Sequence, residues 1–196
     1  MPSFRTRLLV EIAVIAALAT VLGFIRLYRL PWGGSVSLKM VPVFVLALWR
    51  GPRAGALAGL LTGLVTLILD PVVLHPVQVL LDYPLPYAAI GLAGLLRSAP
   101  RRGLVVAVLG RGVCHVLSGA IFFAAYAPPD LNVQVYTFLS NQLGLSVPFL
   151  LHSNITPWLY SLLYNGSYLL PELVLALLIV PRLLTRLGRP SVIGGR

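Results

Sequence analysis

The sequence predicts an all-α integral membrane protein, a compact bundle of six transmembrane helices that forms a single domain over residues 1–196. Composition is the first observation: 58% of the residues are hydrophobic and 10% are charged, with a mean hydropathy of +0.92. An average soluble domain is about 45–50% apolar and about 25% charged. The second observation is a division into six apolar runs, at 8–25, 38–49, 54–69, 77–96, 104–126 and 158–184.

The first three runs differ in length. The run at 8–25 follows Arg5 and Arg7, as in a signal peptide, but no small-residue cleavage site leads into a soluble mature domain, so we expect a retained helix. A perpendicular crossing needs ~20 residues. The runs at 38–49 and 54–69 are shorter, so we expect them to be tilted or supported by neighbouring helices.

The last three runs are long enough to cross a membrane without such support. Small residues in the third run predict how the bundle packs, because a small residue at every fourth position lets helix backbones approach closely in lipid. These residues are Gly55, Gly59 and Gly63. The single cysteine, Cys114, lies in an apolar run, so a disulfide framework within the chain is excluded and we expect a small core residue.

The basic residues predict the orientation of the bundle. If the six runs alternate in direction, eleven of the fifteen lysines and arginines fall on the side of the N-terminus, three fall on the opposite side, and Arg111 lies within a run. The eleven are Arg5, Arg7, Arg50, Arg53, Arg97, Arg101, Arg102, Arg182, Arg186, Arg189 and Arg196, and the three are Arg26, Arg29 and Lys39. Cytoplasmic loops carry the excess of basic residues, so both termini are expected in the cytoplasm. The net charge of +10 then reports topology rather than nucleic-acid binding.

The connections predicted on the outer side are longer than those on the inner side. The inner connections, around 51–53 and 97–103, are short, whereas the outer ones cover 26–37, 70–76 and 127–157. Long connections in a compact domain are usually functional or mobile. We therefore expect the functional site on the outer side.

Four polar side chains within the apolar runs predict a small-molecule site. Hydrocarbon offers no water to amides or carboxylates, so such groups face a cavity or one another. Measured from the outer ends of the runs, Tyr160 lies about 3 Å deep, Asp82 about 8 Å, Asn165 about 10 Å and His115 about 16 Å. We expect these four side chains to line one outward-facing pocket. For His115, a hydrogen bond between helices is an equally good interpretation.

Two charged residues are expected deeper than this group. Glu172 lies about 21 Å below the outer end of its run, and Arg111 lies about 10 Å from the inner end of its own run. Opposite charges within a membrane are expected to pair with one another. We therefore predict an ion pair between Arg111 and Glu172, with a structural role in the inner half of the bundle.

The sequence nominates no catalytic nucleophile and no metal centre. It contains no P-loop, no HExxH motif, no Gly-x-Ser-x-Gly elbow and no cluster of cysteine and histidine. His75 and His152 fall in outer connections without carboxylates at metal-ligand spacing. Binding or transport without a cofactor is therefore predicted rather than catalysis. The alternative is a small integral-membrane enzyme that uses His115 and Asp82 as acid and base.

Four strings carry a resemblance to a known family. They are PWGGSVSLKMVP at 31–42, HPVQVLLDYPLPYAAIGLAG at 75–94, CHVLSGAIFFAAYAP at 114–128 and YSLLYNGSYLLPE at 160–172. In this order and spacing they resemble the thiamine-specific substrate-binding subunits of energy-coupling factor transporters, the ThiT or YuaJ family. The resemblance implies six helices that span a prokaryotic cell membrane. Both termini are then in the cytoplasm. It also implies thiamine near the outer surface, beneath the loop between the first two helices.

By position, the resemblance implies which residues line the pocket: Trp32, Asp82, Tyr83, His115, Gly119, Tyr160 and Asn165. Two positions depart from the pattern of the family. Phe123 stands where some members have a tryptophan, which should weaken stacking on the ligand. Asp82 stands where some members have the longer glutamate, which should shift the ligand or admit a water molecule.

The chemistry of thiamine fits these residues. Thiamine carries a permanently cationic thiazolium ring and an aminopyrimidine ring. The aromatic faces of Trp32, Tyr83 and Phe123 can stack on flat rings, and a cation is attracted to such a face. Asp82 can balance the charge or accept a hydrogen bond from the exocyclic amine. Asn165 offers both a donor and an acceptor.

The loop that carries Trp32 is interpreted as a lid over the ligand. Gly33 and Gly34 directly follow Trp32, and glycine permits the backbone changes that a closing loop needs. The alternative interpretation is an ordinary tight turn beside a tryptophan at the membrane surface.

The resemblance also implies partners, because the chain has no nucleotide-binding motif of its own. They are two cytoplasmic ATPases and a separate membrane subunit that couples them to the substrate-binding subunit. Ala13 and Ala17 form a small-residue pair on the first helix, which we expect to be the docking surface for the coupling subunit. The alternatives within transport are a subunit for another vitamin and an autonomous facilitator.

Overall fold

The computed structural model describes residues 4–187, so Arg189 and Arg196 of the topology prediction lie outside the described residues. The chain is mostly helical. Its elements are α1 (Phe4–Leu22), β1 (Arg26–Arg29), β2 (Ser35–Ser37), α2 (Met40–Arg50), α3 (Pro52–Leu69), α4 (Pro76–Asp82), α5 (Pro84–Ala88), α6 (Pro100–Phe122), α7 (Leu131–Leu143) and α8 (Thr156–Leu187). A 3₁₀ helix at Ala89–Leu96 follows α5 directly, and shorter 3₁₀ turns flank α7.

Each of the six predicted runs contains helical structure. Within residues 4–187, four segments are long and apolar enough to cross a membrane: Pro52–Leu69, Pro76–Leu96, Pro100–Phe122 and Thr156–Leu187. Helix α2 is shorter, at 11 residues. It packs against α1, α3 and α8, so neighbouring helices support it as the sequence predicts. The prediction of a mostly helical membrane protein is confirmed, and the six crossings and the orientation of the termini stay predictions.

The structure differs from the predicted runs and connections at three places. Helix α1 ends at Leu22 rather than at residue 25, because the chain turns into a β-hairpin that begins at Arg26. Helix α6 ends at Phe122 rather than at residue 126, because a 3₁₀ turn at Ala124–Tyr126 follows it. The outer connection at 127–157 is not an extended loop, since it contains helix α7.

The fourth run is a broken helix rather than a continuous one. Helix α4 ends at Asp82, and α5 begins at Pro84. Tyr83 between them has non-helical backbone angles, φ −120° and ψ −77°. The residue before a proline is disfavoured in the α-helical region, and the proline ring removes a backbone hydrogen bond. The break places Asp82 and Tyr83 at the junction of two helices, where both side chains reach the same cavity.

The glycine row of α3 packs against other helices of the same chain, which confirms the prediction from its spacing. A Cβ atom built at Gly55 would overlap Ala47 of α2, and one built at Gly59 or Gly63 would overlap the backbone carbonyl of Tyr87 or Tyr83. The absence of side chains on this face of α3 therefore lets it lie directly against α2 and the broken helix.

The two ends of the bundle differ in composition. The antiparallel β1–β2 hairpin connects α1 to α2 and marks one end, called the hairpin end below. The opposite end, called the arginine end, contains the α2–α3 junction and the link from the 3₁₀ helix to α6. There Arg97 donates hydrogen bonds to the carbonyls of Leu48 and Trp49, and Arg50 forms a bidentate pair with Glu11 at 2.7 and 2.6 Å.

Candidate ligand-binding site

A cavity opens at the hairpin end, between the β1–β2 hairpin and helices α4, α6 and α8. Together with its mouth it encloses about 950 Å³ of space between atoms. Its wall contains all eight residues that the sequence analysis nominates for ligand binding: Trp32, Asp82, Tyr83, His115, Gly119, Phe123, Tyr160 and Asn165. The fold thus brings these residues together from four separate parts of the chain, and their contact with a ligand stays a prediction.

Asp82 presents a carboxylate to the cavity from the last residue of α4. Its Oδ2 atom accepts hydrogen bonds from the Gln78 amide at 2.6 Å and the Ser118 hydroxyl at 2.8 Å. Its Oδ1 atom lies 3.2 Å from Nδ1 of His115. None of these three partners carries a permanent charge. The carboxylate is therefore held in place by neutral donors, which leaves its charge available to a cation in the cavity.

His115 reaches Asp82 with one ring nitrogen and Arg111 with the other. The Nε atom of Arg111 donates to Nε2 of His115 at 3.1 Å. The two residues are four positions apart on α6, the spacing at which helical side chains are neighbours. The spacing could have predicted this contact, but the sequence analysis missed it.

The predicted ion pair between Arg111 and Glu172 is present. Nη1 of Arg111 lies 2.9 Å from Oε2 of Glu172, and both side chains are buried. Both residues also belong to the wall of the cavity, although the depth calculation placed them in the inner half, away from the ligand site. Long side chains explain the difference, because depths counted along the helix axis ignore the reach of arginine and glutamate.

Asn165 joins α8 to α6 as well as lining the cavity. Its amide nitrogen donates to the carbonyl and hydroxyl of Ser161, at 2.9 and 3.2 Å, and to the carbonyl of His115 at 3.3 Å. Its amide oxygen accepts from the hydroxyl of Tyr168 at 2.7 Å. The donors of the amide are thus engaged by the protein, and the oxygen keeps one lone pair that a ligand donor could use.

Gly119 allows α6 and α8 to meet beside this asparagine. A Cβ atom at position 119 would overlap the hydroxyl of Ser161. Ser161 itself donates to the carbonyl of Val116 at 2.8 Å. Gly119 therefore shapes the cavity wall by close helix packing.

Aromatic rings surround the mouth of the cavity. The ring of Trp32 lies 4.1 Å from that of Tyr126 between centroids, and Phe123 lies 6.1 Å from Tyr126. On α8, the rings of Tyr160 and Tyr164 are 5.7 Å apart. Trp32 is 43% exposed, whereas Phe123 is only 7% exposed. Tyr126 and Tyr164 are not among the site residues predicted from the sequence, since no residue spacing links either one to the first loop.

The loop that carries Trp32 is fixed above the cavity by α8. The hydroxyl of Tyr164 accepts from the backbone N–H of Trp32 at 2.9 Å and donates to the carbonyl of Gly33 at 2.9 Å. Gly33 and Gly34 have φ angles of +90° and +82°, which favour glycine. The glycines therefore serve a turn between two strands, in a position that covers the cavity, and opening of this loop as a lid stays a prediction.

Tyr83 contributes its hydroxyl to the connection between α3 and α4. It accepts from the backbone N–H of Val72 at 2.6 Å and donates to the carbonyl of Asp70 at 3.0 Å. The Asp70 carboxylate bonds Arg26 at 2.9 Å and Arg29 at 2.7 Å, both on β1. Tyr83 and Asp70 thus attach the hairpin to α3 at the mouth of the cavity.

Comparison with known proteins decides the family. The family model for the thiamine transporter protein matches residues 9–156. The chain belongs to the thiamine transporter family. Its relatives in this family are transporters, so the chain is a membrane transport protein rather than an enzyme.

Individual members of the thiamine transporter family match most of the chain. Thiamine transporter ThiT of Bacillus subtilis (strain 168) is 33% identical over 191 residues, which cover 88% of this chain and 87% of that protein. Thiamine transporter ThiT of Lacticaseibacillus paracasei is 28% identical over 197 residues, which cover 90% of this chain and 86% of that protein. A solved structure of ThiT from Listeria monocytogenes superimposes with a TM-score of 0.73 at 25% identity, covering 94% of this chain and 96% of that one.

Proposed function

We propose that this member of the thiamine transporter family is the thiamine-binding subunit of an energy-coupling factor uptake system and holds thiamine in the hairpin-end cavity. One observation carries the proposal: a carboxylate held only by neutral donors lies in a cavity with aromatic rings at its mouth. A permanently cationic, flat ligand fits both features. No resident cofactor is needed for this role.

Each part of thiamine meets a different part of the cavity. Asp82 accepts from the exocyclic amine or balances the thiazolium charge, and a hydrogen bond to a charged group contributes about 1.5–3 kcal/mol. The rings of Trp32, Tyr83 and Phe123 stack on the ligand, where a desolvated cation over an aromatic face gains ~0.5–2 kcal/mol. The oxygen of Asn165 takes a ligand donor. His115 stays neutral, because an imidazolium would repel the bound cation.

The six-helix topology with cytoplasmic termini belongs to the same proposal. We infer that the short helix α2 and the charged helix α1 also cross the membrane. Both pack on α3, which is itself long and apolar enough to span a membrane. The excess of arginine at the α2–α3 and 3₁₀–α6 connections supports a cytoplasmic arginine end. The cavity then faces outward, toward the vitamin to be captured.

Titration of the purified protein with thiamine tests the ligand. Stoichiometric binding with recovery of unchanged thiamine is expected, whereas chemical turnover would indicate the enzyme alternative. Absence of binding would remove thiamine from the proposal. The wild-type chain alone in liposomes separates a subunit from an autonomous facilitator: accumulation of thiamine without partners or ATP would contradict the subunit role.

The docking surface on α1 supplies a further prediction. Ala13 and Ala17 are both exposed on α1, so a partner helix could approach its backbone closely there. Replacing either alanine with tryptophan should leave thiamine binding unchanged within about twofold, while uptake in cells that supply the coupling subunit and ATPases falls at least tenfold. Leu109→Trp on α6, at a position 64% exposed, is the matched control and should retain uptake. Loss of uptake in the control, or normal uptake in the alanine variants, would remove this surface.

A further inference from the structure

A continuous chain of buried contacts runs beneath the cavity from the hairpin to Asp82. Its members are Ser37 on β2, Glu172 on α8, Arg111 and His115 on α6, and Asp82 on α4. The first four side chains are all less than a tenth exposed. Arg111 and Glu172, the charged pair in the middle of this series of contacts, lie where an unpaired polar group would be costly. Each contact therefore constrains its neighbours.

The contact between Arg111 and His115 defines where the imidazole proton lies. The Nε atom of an arginine always carries a hydrogen and cannot accept one, so Nε2 of His115 must be the acceptor at 3.1 Å. The remaining nitrogen, Nδ1, then carries the proton and donates to the Asp82 carboxylate at 3.2 Å. The opposite tautomer would place two donors face to face at Arg111 and two acceptors face to face at Asp82.

The guanidinium of Arg111 is itself held on several sides. Its central carbon lies 5.0 Å from the ring centroid of Tyr87 and 5.9 Å from that of Tyr168, and Nη1 also contacts the sulfur of Met40. Nη1 pairs with Oε2 of Glu172 at 2.9 Å. Arg111 therefore cannot turn away from His115 without losing these contacts.

Glu172 extends the chain to the hairpin. Its second oxygen, Oε1, accepts from the backbone N–H of Ser37 at 3.2 Å and from the Ser37 hydroxyl at 3.3 Å. Ser37 is the last residue of β2, in the hairpin that carries Trp32 over the cavity mouth. One carboxylate thus joins the covering hairpin to the arginine that orients His115.

We propose that Arg111 is a positioning residue of the cavity that holds His115 neutral with its proton on Nδ1, while its ion-pair partner Glu172 joins the hairpin to the cavity wall. As a consequence, His115 presents a donor to Asp82 and no free proton to the ligand. The position of the hairpin and the position of the Asp82 carboxylate are then coupled. The inference on His115 stands in the ligand-free protein, and only its effect on affinity rests on the proposed function.

Two double variants separate the contact of Arg111 with His115 from the contact of Glu172 with Ser37. Arg111→Met alone would leave a buried carboxylate without its cation, which risks misfolding. Arg111→Met with Glu172→Gln removes both charges but keeps an amide oxygen that can accept from Ser37. Arg111→Met with Glu172→Met removes that acceptor as well. Arg97→Met, which removes an arginine bonded to carbonyls at the arginine end, is the matched control.

The first measurement is the ¹⁵N spectrum of the His115 ring in ligand-free protein, assigned by comparison with His115→Gln. Wild type and the Arg97 control are expected to show a protonated Nδ1 and an unprotonated Nε2. In both double variants a population with the proton on Nε2 should appear. A protonated Nε2 in wild type, or an unchanged ring in the double variants, would overturn the proposal.

The second measurement is amide hydrogen exchange over the hairpin, residues 26–37. Exchange should accelerate at least tenfold in the Glu172→Met double variant and stay within about threefold of wild type in the Glu172→Gln one. Equal exchange in the two would refute the connection through Glu172. Thiamine affinity should fall about tenfold or more in both double variants. If wild type itself does not bind thiamine, the proposed function fails while the ring spectrum still decides the role of Arg111.

Discussion

The arginine end and the hairpin end of this bundle are built from the same apolar helices, yet one is filled and the other is hollow. At the arginine end, small residues bring backbones together: a Cβ atom at Gly91 would lie 2.5 Å from the backbone nitrogen of Ala56 and 2.6 Å from the carbonyl of Pro52. At the hairpin end, the walls of the cavity are aromatic and polar side chains that bond to one another. The difference shows that the positions of small, aromatic and polar side chains, rather than the overall hydropathy of the helices, decide where this bundle keeps space for a ligand.

The polar groups of the hairpin end also hold that end together. Apolar side chains in lipid gain little by contacting each other, because the surrounding tails are equally apolar. Glycine-mediated packing supplies close contact at the arginine end, whereas around the cavity hydrogen bonds accepted by Asp82 and Glu172 and one donated by Asn165 to His115 also join the elements. We therefore expect substitutions of the packed glycines at the arginine end to reduce folding and substitutions of the cavity residues at the hairpin end to reduce binding.

The largest effect is expected for Gly91→Ala. Its new methyl group would meet backbone atoms of α3, which cannot rotate away, so the free energy of unfolding should fall by about 3 kcal/mol or more. Yield of folded protein and thermal unfolding in detergent measure this. Gly166→Ala on α8, where a Cβ would meet no atom within 4 Å, should leave the free energy of unfolding unchanged or raise it slightly. Equal tolerance of both substitutions would contradict close packing at the arginine end.

The next effect is expected for Asp82→Asn, which should fold normally and weaken thiamine binding at least tenfold. The amide is nearly isosteric but removes the negative charge, at a cost of roughly 1.4 kcal/mol or more. Isothermal titration checks the affinity. Asp130→Asn, at an exposed position just before α7, is the matched control and should bind as wild type does. Unchanged affinity of the Asp82 variant would remove this carboxylate from the ligand site.

A smaller effect is expected at Phe123. Phe123→Ala should weaken thiamine binding about threefold to tenfold, because it removes an aromatic face. Phe123→Trp should preserve or improve affinity, since indole interacts more strongly with a cation. Phe138→Ala on α7, at a position 58% exposed, serves as the control. If both Phe123 variants bind as wild type does, the ring belongs to the packing of α6 and not to the site.

Contacts could be predicted from the sequence where the depth or the charge of a residue within its own helix was sufficient to identify them. The depth of Asp82, Asn165 and His115 brought them to one cavity, and opposite charges predicted the pair of Arg111 with Glu172. Contacts that depend on how the hairpin folds back were not accessible in this way. The bond from Ser37 to Glu172 joins residues 135 positions apart, and no periodicity links them.

Backbone breaks were missed for a similar reason. The apolar run at 77–96 reads as one helix, although Pro84 and Pro86 mark the break that ends α4 beside Tyr83. The connection at 127–157 reads as a loop because α7 has no strongly apolar face, and its apolar residues Val133 and Phe138 are exposed. Hydropathy detects contact with lipid, so it does not separate broken from continuous helices or find short helices outside the bundle.

The smallest effect tests how firmly the hairpin is attached to the hollow end. Tyr164→Phe removes the hydroxyl that bonds both the N–H of Trp32 and the carbonyl of Gly33, while it keeps the ring beside Tyr160. A net loss of about 0.5–1 kcal/mol should weaken thiamine binding about twofold to fivefold. Because the contact restrains the covering loop, the loss should be mainly a faster dissociation, measured by stopped-flow tryptophan fluorescence. Tyr136→Phe on α7 is the matched control, and equal dissociation rates in the two variants would show that this hydroxyl does not restrain the loop.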